Sequence, residues 1–486
     1  MPRCGSLISL MLAAVALLAA GVPSLEAQPS VPLEPCTVRG LSGDVRCGVV
    51  RVAEDRQNPN TRQIDLHVVV ARATGPQRVN DPLVLLAGGP GQAGTEMGEF
   101  ATQAFSLVRT ARDIVLVDAR GTGQSGLRCA LMRRPEDLVG ETLYPAASVR
   151  ICRDSLSRVA DLTRYTTTDI ADDLDVVRRA LGYPQLNLYG TSYGTRLALA
   201  YLRRHPSSVR TAVLKAVAPP TMIAPLNYAE DAERAFGLLV RDCQADAACA
   251  RAFPSPRADL DSVLARAARG DIRTTLPNGH GGVDTLRVAR GAIAGSLMTL
   301  MQSASQRAMV PRLLHQAAMG DASALTSVVL QIRRMIDGAL ASGMHLSVAC
   351  SDDGGRLDLA VARRDDGRTF LGSSRVLMLA AACREWGMPP ADPSVGTAVR
   401  SNVPVLLISG ELDPNTPPRH AAEALRTLPN GRHIVLAGVA HGWSGVETCG
   451  AAFVADFIAR ASTNGLDVGC ARVFSAPQFV ISPSSR

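Results

Sequence analysis

A serine between two glycines is the first residue of this sequence whose type and spacing could do chemistry. The stretch Leu188 to Gly194 reads LYGTSYG, so Gly190 and Gly194 flank Ser192 at a distance of two residues. On a sharp turn between a strand and a helix, the hydroxyl of such a serine projects above the sheet and can act as a nucleophile. The segments LNLY and RLALAYL supply that strand and helix. We therefore predict that Ser192 is a catalytic nucleophile rather than part of a structural turn.

A serine hydroxyl needs a base to take its proton and a carboxylate to orient that base. His441 follows the apolar segment HIVLAGVA, and Asp413 follows the strand-like segment VPVLLISG. Serine, acid and histidine in this order, each after a strand, form a known arrangement for acyl transfer. His420 lies in a helical pattern and Glu411 directly follows the strand's glycine, so both are weaker choices. The sequence predicts a triad of Ser192, Asp413 and His441.

Acyl transfer also places negative charge on a carbonyl oxygen, which backbone N–H groups must stabilise. The N–H of Tyr193, next to the serine, is one expected donor. The other belongs to the loop GGPGQAG, Gly88 to Gly94, which follows the strand segment PLVLLA. There we choose Gly89, because Pro90 has no N–H. The loop lacks the Lys-Ser or Lys-Thr of a phosphate-binding loop, so we exclude that function.

The elements around these motifs predict an α/β fold with a mostly parallel sheet and a helical insertion. In the first part of the chain, apolar strand segments alternate with glycine turns and amphipathic helical patterns. From 219 to 398 the pattern is mostly helical, and strand-like segments return after it. We predict a sheet domain in two parts, 28–218 and 399–486, interrupted by a helical cap at 219–398.

The N-terminal segment predicts export. Arg3 precedes the apolar run LISLMLAAVALLAAG, and small residues follow up to Ala27. Because this run is short for a bilayer span, we predict a signal peptide at 1–27 rather than an uncleaved anchor. Its removal would leave a periplasmic or secreted protein without a membrane segment.

The cysteines test that prediction, because exported proteins usually pair them. Of the 11 cysteines, Cys4 belongs to the signal segment and the rest are even in number. The simplest pairing joins neighbours along the chain: Cys36 with Cys47, Cys129 with Cys152, Cys243 with Cys249, Cys350 with Cys383, and Cys449 with Cys470. There is no C-x-x-C, and the histidines do not cluster with the cysteines, so no metal site is predicted.

The net charge of +7 and the sequence pI near 9.0 invite a nucleic-acid function. However, the basic residues are arginines spread along the chain, with Lys215 as the single lysine. Without a basic run or interleaved aromatic residues, we do not expect a nucleic-acid partner.

Together the motifs resemble the secreted bacterial tripeptidyl aminopeptidase-like branch of the α/β-hydrolases, which is related to the prolyl aminopeptidases of peptidase family S33. The matching stretches are GGPGQAG, DARGTGQSG, GTSYG, CSDDG, GELDPNTPP and AHG, spread between Cys36 and Cys470. Prolyl aminopeptidases typically begin the oxyanion motif with a histidine, where this sequence has Ala87. That difference favours the tripeptidyl-type branch, whose cysteine couples are similar.

The resemblance implies a serine exopeptidase that acts near free N-termini of peptides through an acyl-enzyme, without a cofactor. The helical insertion would be its lid, and the triad and oxyanion residues would be those named above. A buried ammonium group of the substrate needs carboxylate partners. Asp352 in CSDDG is the first candidate, followed by Asp353, Glu230 and Asp231.

Two alternatives remain open at this point. A secreted carboxylesterase could use the same triad, because an ester needs only the nucleophile and the oxyanion donors. A catalytically inactive binding protein of the same fold should have lost a triad residue, and none is missing.

Overall fold

The computed structural model describes residues 31–278, 280–389, 392–442, 447–472 and 477–481, with the backbone alone described at 447–449. The predicted signal peptide at 1–27 lies outside the described residues. Within the described ranges the strands are β1 Glu34–Pro35, β2 Val45–Ala53, β3 Gln63–Ala71, β4 Val79–Leu86, β5 Arg112–Val117, β6 Leu186–Thr191, β7 Val209–Lys215, β8 Arg273–Pro277, β9 Val283–Arg287, β10 Val405–Gly410 and β11 Gly431–Leu436.

The helices of the described residues fall into two groups. Those of the sheet region are α1 Gly98–Arg109, α2 Pro135–Val139, α3 Ala146–Leu156, α4 Thr167–Ala180, α5 Tyr193–Arg204, α16 Pro418–Leu425 and α17 Glu447–Arg460. Those between β7 and β10 are α6 Ala224–Ala245, α7 Ala247–Ala252, α8 Pro256–Arg269, α9 Arg290–Leu300, α10 Ala304–Arg307, α11 Val310–Ala318, α12 Ser323–Ala339, α13 Ser342–Asp352, α14 Leu359–Arg363 and α15 Ser374–Trp386.

Nine strands form one sheet in the order β1-β2-β3-β5-β4-β6-β7-β10-β11. The strands near the start of the sheet are antiparallel, since β2 pairs with β3 and β3 pairs with β5 in opposite directions. From β5 to β11 all neighbours are parallel. The mostly parallel sheet confirms the predicted α/β fold. Because β5 and β6 lie on opposite sides of β4, a crevice opens at the carboxyl ends of β4 and β6.

Successive residues of the central strands pack on opposite faces of the sheet, as the strand period requires. Leu188 of β6 belongs to the core formed with α4 and α5, whereas Tyr189 belongs to the core formed with α1 and α17. The helix α4 begins with a side-chain cap, since the Thr166 side chain accepts the N–H of Asp169. Helices therefore cover both faces and fix the strand ends that carry the motifs.

The segment between β7 and β10 has a core of its own, formed mainly by α6, α8, α9, α11 and α12. This agrees with the mostly helical pattern in that part of the sequence. The pattern did not predict the small antiparallel hairpin of β8 and β9. Its strands are mostly exposed and short, so they carry little of the alternation that identifies a half-buried strand.

Four of the five predicted cysteine pairs form disulfides in the structure: Cys36–Cys47, Cys129–Cys152, Cys243–Cys249 and Cys350–Cys383. Cys470 is also disulfide-bonded, and the side chain of its predicted partner, Cys449, lies outside the described residues. This pairing fits an oxidising compartment. In the described part of the chain, no helix combines the length and apolar character needed to cross a membrane.

Candidate active site

Ser192 occupies a strained turn between β6 and α5. Its backbone has φ 54° and ψ −122°, a conformation that costs free energy in a residue with a Cβ. The Ser192 N–H donates to the carbonyl oxygen of Lys215 at 3.0 Å, which anchors the turn to the neighbouring strand β7. In a nucleophile turn, this strained backbone makes the serine hydroxyl project above the sheet.

The two flanking glycines are needed because backbones approach closely at this turn. A Cβ at Gly190 would lie 2.4 Å from the carbonyl oxygen of Gly194. A Cβ at Gly194 would lie 2.0 Å from the carbonyl oxygen of Leu86 at the end of β4. The glycine spacing therefore reflects contact of the turn with the adjacent strand and with itself.

The structure brings the three predicted triad residues into one line of hydrogen bonds. His441 Nε2 lies 3.1 Å from Ser192 Oγ, and His441 Nδ1 lies 2.8 Å from Asp413 Oδ2. The strand before the histidine is shorter than its sequence suggests. The apolar segment HIVLAGVA extends to Ala440, but β11 ends at Leu436. The residues after β11 form a loop, which lets the imidazole turn back over β10 and reach the serine.

Asp413 is fully buried and is surrounded by donors. Its Oδ1 accepts the N–H groups of Asn415 and Thr416 at 2.8 and 2.9 Å, and its Oδ2 accepts the Thr416 hydroxyl at 2.8 Å. Burial alone would raise the pKa of this carboxyl, but His441, Lys215 and the backbone donors hold it well below the ordinary value. An ionised carboxylate therefore faces the imidazole, as orientation of a base requires.

Lys215, the single lysine of the sequence, lies buried beneath this pair of residues. Its ammonium group donates to the carbonyl oxygen of Gly442 at 2.9 Å and also to that of His441. Burial lowers the pKa of Lys215 to about 8, against the opposing attraction of Asp413. The sequence analysis missed this residue as part of the site. The available signal was a lone lysine inside the apolar strand AVLKAV.

The glycine loop after β4 passes beside the serine. A Cβ at Gly88 would lie 3.5 Å from Ser192 Cβ, and Gly89 has φ +107°, a left-handed conformation that favours glycine. Tyr193 is the first residue of α5, where backbone N–H groups have no acceptor within the helix. The chosen oxyanion donors thus belong to two segments that meet at the serine, and their function stays a prediction.

The loop is held from the other side by α13. Ala341 N–H donates to Gly91 O at 2.9 Å, and His345 Nδ1 lies 3.0 Å from Pro90 O. Because a carbonyl oxygen can only accept, Nδ1 carries the proton and Nε2 accepts the Tyr144 hydroxyl at 2.7 Å. Burial lowers the pKa of His345, which keeps the ring neutral. Sequence reasoning also missed His345, since nothing local links it to the loop.

The predicted ammonium-binding carboxylates do not share one environment. Asp352 and Asp353 are buried against Arg196, with N–O distances of 3.6 and 3.1 Å. Thr167 donates to Asp352 at 2.8 Å and lies 2.9 Å from the Tyr193 hydroxyl. Burial raises the pKa of Asp352 to about 6.

The remaining acidic candidates lie on α6. Glu230 is exposed, with Arg419 at 3.9 Å. Asp231 is buried and paired with Arg419 and His420 at 2.7 and 2.8 Å. Asp231 therefore already has two cationic or hydrogen-bonding partners, and Glu230 faces solvent. In the part of the chain that is described, no group of three or more His, Cys, Asp or Glu residues could hold a metal ion.

Comparison with known proteins agrees with the fold, and two family models match separate parts of the chain. Residues 81–249, which include Ser192, match the family described as alpha/beta hydrolase fold. Residues 368–470, which include Asp413 and His441, match the family described as TAP-like protein.

Two curated relatives are similar over different lengths. The serine protease Hip1 of Mycobacterium tuberculosis is 25% identical over 449 residues, which is 82% of each chain. The tripeptidyl aminopeptidase of Streptomyces lividans is 30% identical over 212 residues, which is 40% of each chain. Among solved structures, the proline iminopeptidase of Mycobacterium smegmatis aligns with 85% of this chain and 98% of its own, at 18% identity and a TM-score of 0.41.

Proposed function

We propose that this serine hydrolase, which combines the α/β-hydrolase fold with a TAP-like segment, is an exopeptidase that removes short peptides from free N-termini. The observation that carries the proposal is the hydrogen-bonded line from Ser192 through His441 to Asp413, at 3.1 and 2.8 Å. A strained serine turn, an oriented imidazole and a buried carboxylate together support nucleophilic acyl transfer.

In the first half of the proposed reaction, Ser192 Oγ attacks the scissile carbonyl carbon and its proton passes to His441 Nε2. The carbonyl oxygen becomes an oxyanion, which the N–H groups of Gly89 and Tyr193 stabilise. His441 then gives its proton to the leaving amine as the C–N bond breaks. Asp413 stays ionised throughout and stabilises the imidazolium.

In the second half, water replaces the leaving peptide. His441 takes a proton from the water as its oxygen attacks the acyl-enzyme carbonyl. The same N–H groups stabilise the second oxyanion, and Ser192 leaves with the proton from His441. The released product is the N-terminal peptide with a new carboxylate, and the enzyme returns to its starting state.

Two observations support peptides with free N-termini as substrates: the similarity to known peptidases and the environment of the Asp352 carboxylate. The similar proteins include a serine protease and a tripeptidyl aminopeptidase. Among the described residues, Asp352 Oδ1 is buried without a hydrogen-bond partner, so it retains capacity for a donor such as an ammonium group. We propose Asp352 as the principal contact, with Asp353 and Glu230 in supporting positions.

The same proposal includes the architecture around the site. Residues 219–398 would act as a lid over the sheet domain, and removal of 1–27 would release the mature protein into the periplasm or the medium. No cofactor takes part in the proposed chemistry.

The test compares the mature protein with Ser192→Ala on three substrates: a chromogenic tripeptide amide with a free N-terminus, the N-blocked amide and a short-chain nitrophenyl ester. We expect the free amide to be cleaved far faster than the blocked one. Loss of the nucleophile should lower kcat by roughly a factor of 10^6. Ser207→Ala, which alters an exposed serine, is the matched control and should keep its activity.

Each remaining result decides against part of the proposal. Turnover of the ester alone would favour the carboxylesterase. Equal cleavage of free and blocked amides would remove the requirement for a free N-terminus. Full activity in Ser192→Ala would show that the nucleophile is a different residue.

A further inference from the structure

A cavity between the loop after α2 and helices that follow β7 is lined by two arginines and a single carboxylate. It lies between α9, α12, α15 and the loop after α2. Its polar lining consists mainly of Arg333, Arg375, Glu141, Ser296 and Ser374. None of these residues belongs to the proposed catalytic machinery, so the cavity calls for a separate explanation.

Arg333 is a buried cation without an acidic partner. Arg333 is 3% exposed, and no ion pair joins it to a carboxylate of the described residues. Its Nη2 donates to the carbonyl oxygens of Asp137 and Thr142 at 2.8 and 2.6 Å, but its buried Nε has no acceptor among the described residues. Buried charges are normally paired, because an unpaired charge out of water is costly.

A second cation stands beside the first. Burial, with the adjacent charge of Arg375, lowers the pKa of Arg333 to about 10. Arg375 is half-buried and makes no ion pair within the described residues. Glu141 attracts Arg333, but its Oε2 already accepts the Gly291 N–H at 2.7 Å. The cavity therefore has an excess of positive charge and unused donors.

The cavity also has room beside the guanidinium of Arg375. The helix α9 presents Gly295 there, and a Cβ added to it would lie 3.9 Å from Arg375 Nη1. A larger side chain at this position would project toward the guanidinium. The glycine thus leaves open the space in which an anion could contact Arg375.

A short series of contacts connects this cavity with the glycine loop after β4. Leu143 lines the cavity together with Arg375, and Tyr144 is the next residue along the chain. Tyr144 hydrogen-bonds His345 at 2.7 Å, and His345 Nδ1 lies 3.0 Å from the carbonyl oxygen of Pro90 in that loop. The wall of the cavity is therefore continuous with the residues that hold the loop beside Ser192.

We propose that Arg375, with Arg333 behind it, binds a carboxylate of the peptide substrate and makes the enzyme selective for acidic peptides. This inference rests on the proposed peptidase function. The carboxylate has two possible sources, an Asp or Glu side chain in the released N-terminal peptide or the free C-terminus of a short substrate. A paired guanidinium and carboxylate would remove the charge imbalance of the cavity.

The experiment measures kcat/KM for two matched series of peptides with free N-termini. One series carries Glu or Gln in turn at each position of a tripeptide amide, and the other compares short peptides with a free or an amidated C-terminus. We expect the carboxylate form to be preferred by about 10- to 100-fold at one position or at the C-terminus, as for a hydrogen bond to a charged group. The two series distinguish the two sources.

Three variants assign the preference to the cavity. Arg375→Gln should reduce the ratio between the charged and the neutral peptide to near 1. Gly295→Leu, which fills the space without removing a charge, should reduce the same ratio. Arg334→Gln removes an exposed arginine from the neighbouring position of α12 and should leave the ratio unchanged.

The outcomes separate this inference from the proposed function. If the enzyme cleaves neutral peptides but shows no carboxylate preference in either series, the inference is wrong and the peptidase function stands. A preference that survives both Arg375→Gln and Gly295→Leu would also overturn it. If no peptide is cleaved, the peptidase function fails first and the inference fails with it.

Discussion

At the scale of single residues, the site depends on a buried lysine that does not take part in the proposed proton transfer. Lys215 ends β7, and its ammonium group donates to the carbonyl oxygens of His441 and Gly442. It thus fixes the backbone that carries the imidazole of His441, the proposed general base. An ammonium group held out of water is costly, and its pKa near 8 reflects that cost.

Replacing Lys215 with methionine tests both the cost of the buried ammonium group and its hold on the His441 backbone. The folded state holds the proton less tightly than the unfolded chain, whose lysine pKa is 10.5. Stability of the wild type should therefore rise relative to Lys215→Met as the pH rises from about 8 to 10.5, by up to about 3 kcal/mol. Urea unfolding at several pH values gives this difference. Because the freed carbonyl groups let the His441 loop move, kcat should also fall about tenfold.

Lys215→Arg is the matched control, since arginine stays charged over this pH range and should show no corresponding rise. A difference between wild type and Lys215→Met that does not change with pH would contradict the account. Unchanged kcat in Lys215→Met would show that the loop is positioned by other contacts.

At the scale of elements, the glycine loop after β4 is held by a helix from a distant part of the chain. The Ala341 N–H, directly before α13, donates to Gly91 O at 2.9 Å, and His345 of α13 places Nδ1 3.0 Å from Pro90 O. The disulfide Cys350–Cys383 joins α13 to α15, the helix that carries Arg375. The loop with the proposed oxyanion donor Gly89 and the cavity lined by Arg375 are therefore connected through two helices that a disulfide joins.

We expect His345→Ala to lower kcat about tenfold with a smaller change in KM, because the loop would lose a hydrogen bond that orients the Gly89 N–H. His345→Asn should restore most of the activity, since the Asn amide N–H can take the place of Nδ1–H. Steady-state kinetics of the two variants on the tripeptide amide provide the comparison. Equal losses in both variants would indicate a packing role for the ring rather than a positioning role.

At the scale of the whole molecule, the cysteine pairs and the N-terminal segment point to the same compartment. Four disulfides join cysteines separated by 6 to 33 residues, so each closes a local loop and needs no distant partner. Pairs of this kind form in oxidising compartments. They agree with the prediction that 1–27 directs the chain out of the cytoplasm.

Intact-mass analysis of the exported protein tests this prediction. We expect a mature chain that begins close to Gln28 and has no free thiol, because Cys4 leaves with the signal peptide and the ten other cysteines pair. Alkylation without reduction should add no label, whereas alkylation after reduction should label every cysteine of the mature chain. A retained N-terminal segment, or a free thiol at Cys449 or Cys470, would contradict it.

The sequence by itself predicted the parts that depend on local patterns. Continuous apolar runs identified the parallel strands, because strands buried on both faces cannot alternate with polar residues. The glycines around Ser192 and the residues after two later strands were enough to predict which side chains meet, since carboxyl ends of parallel strands share one edge of a sheet. Neighbour pairing of cysteines was likewise readable from spacing.

Only the tertiary structure decided the contacts between segments far apart in sequence. Lys215 contacts His441, and His345 contacts Pro90. Each contact joins residues more than 200 positions apart, and no local periodicity encodes such a pair. The same holds for Arg333 and Arg375, because only the packed helices show that neither has an ion-pair partner among the described residues. Burial raises the free energy of a charged arginine or lysine and makes its hydrogen-bond partners decisive. Burial is a property of the folded chain and not of the local sequence.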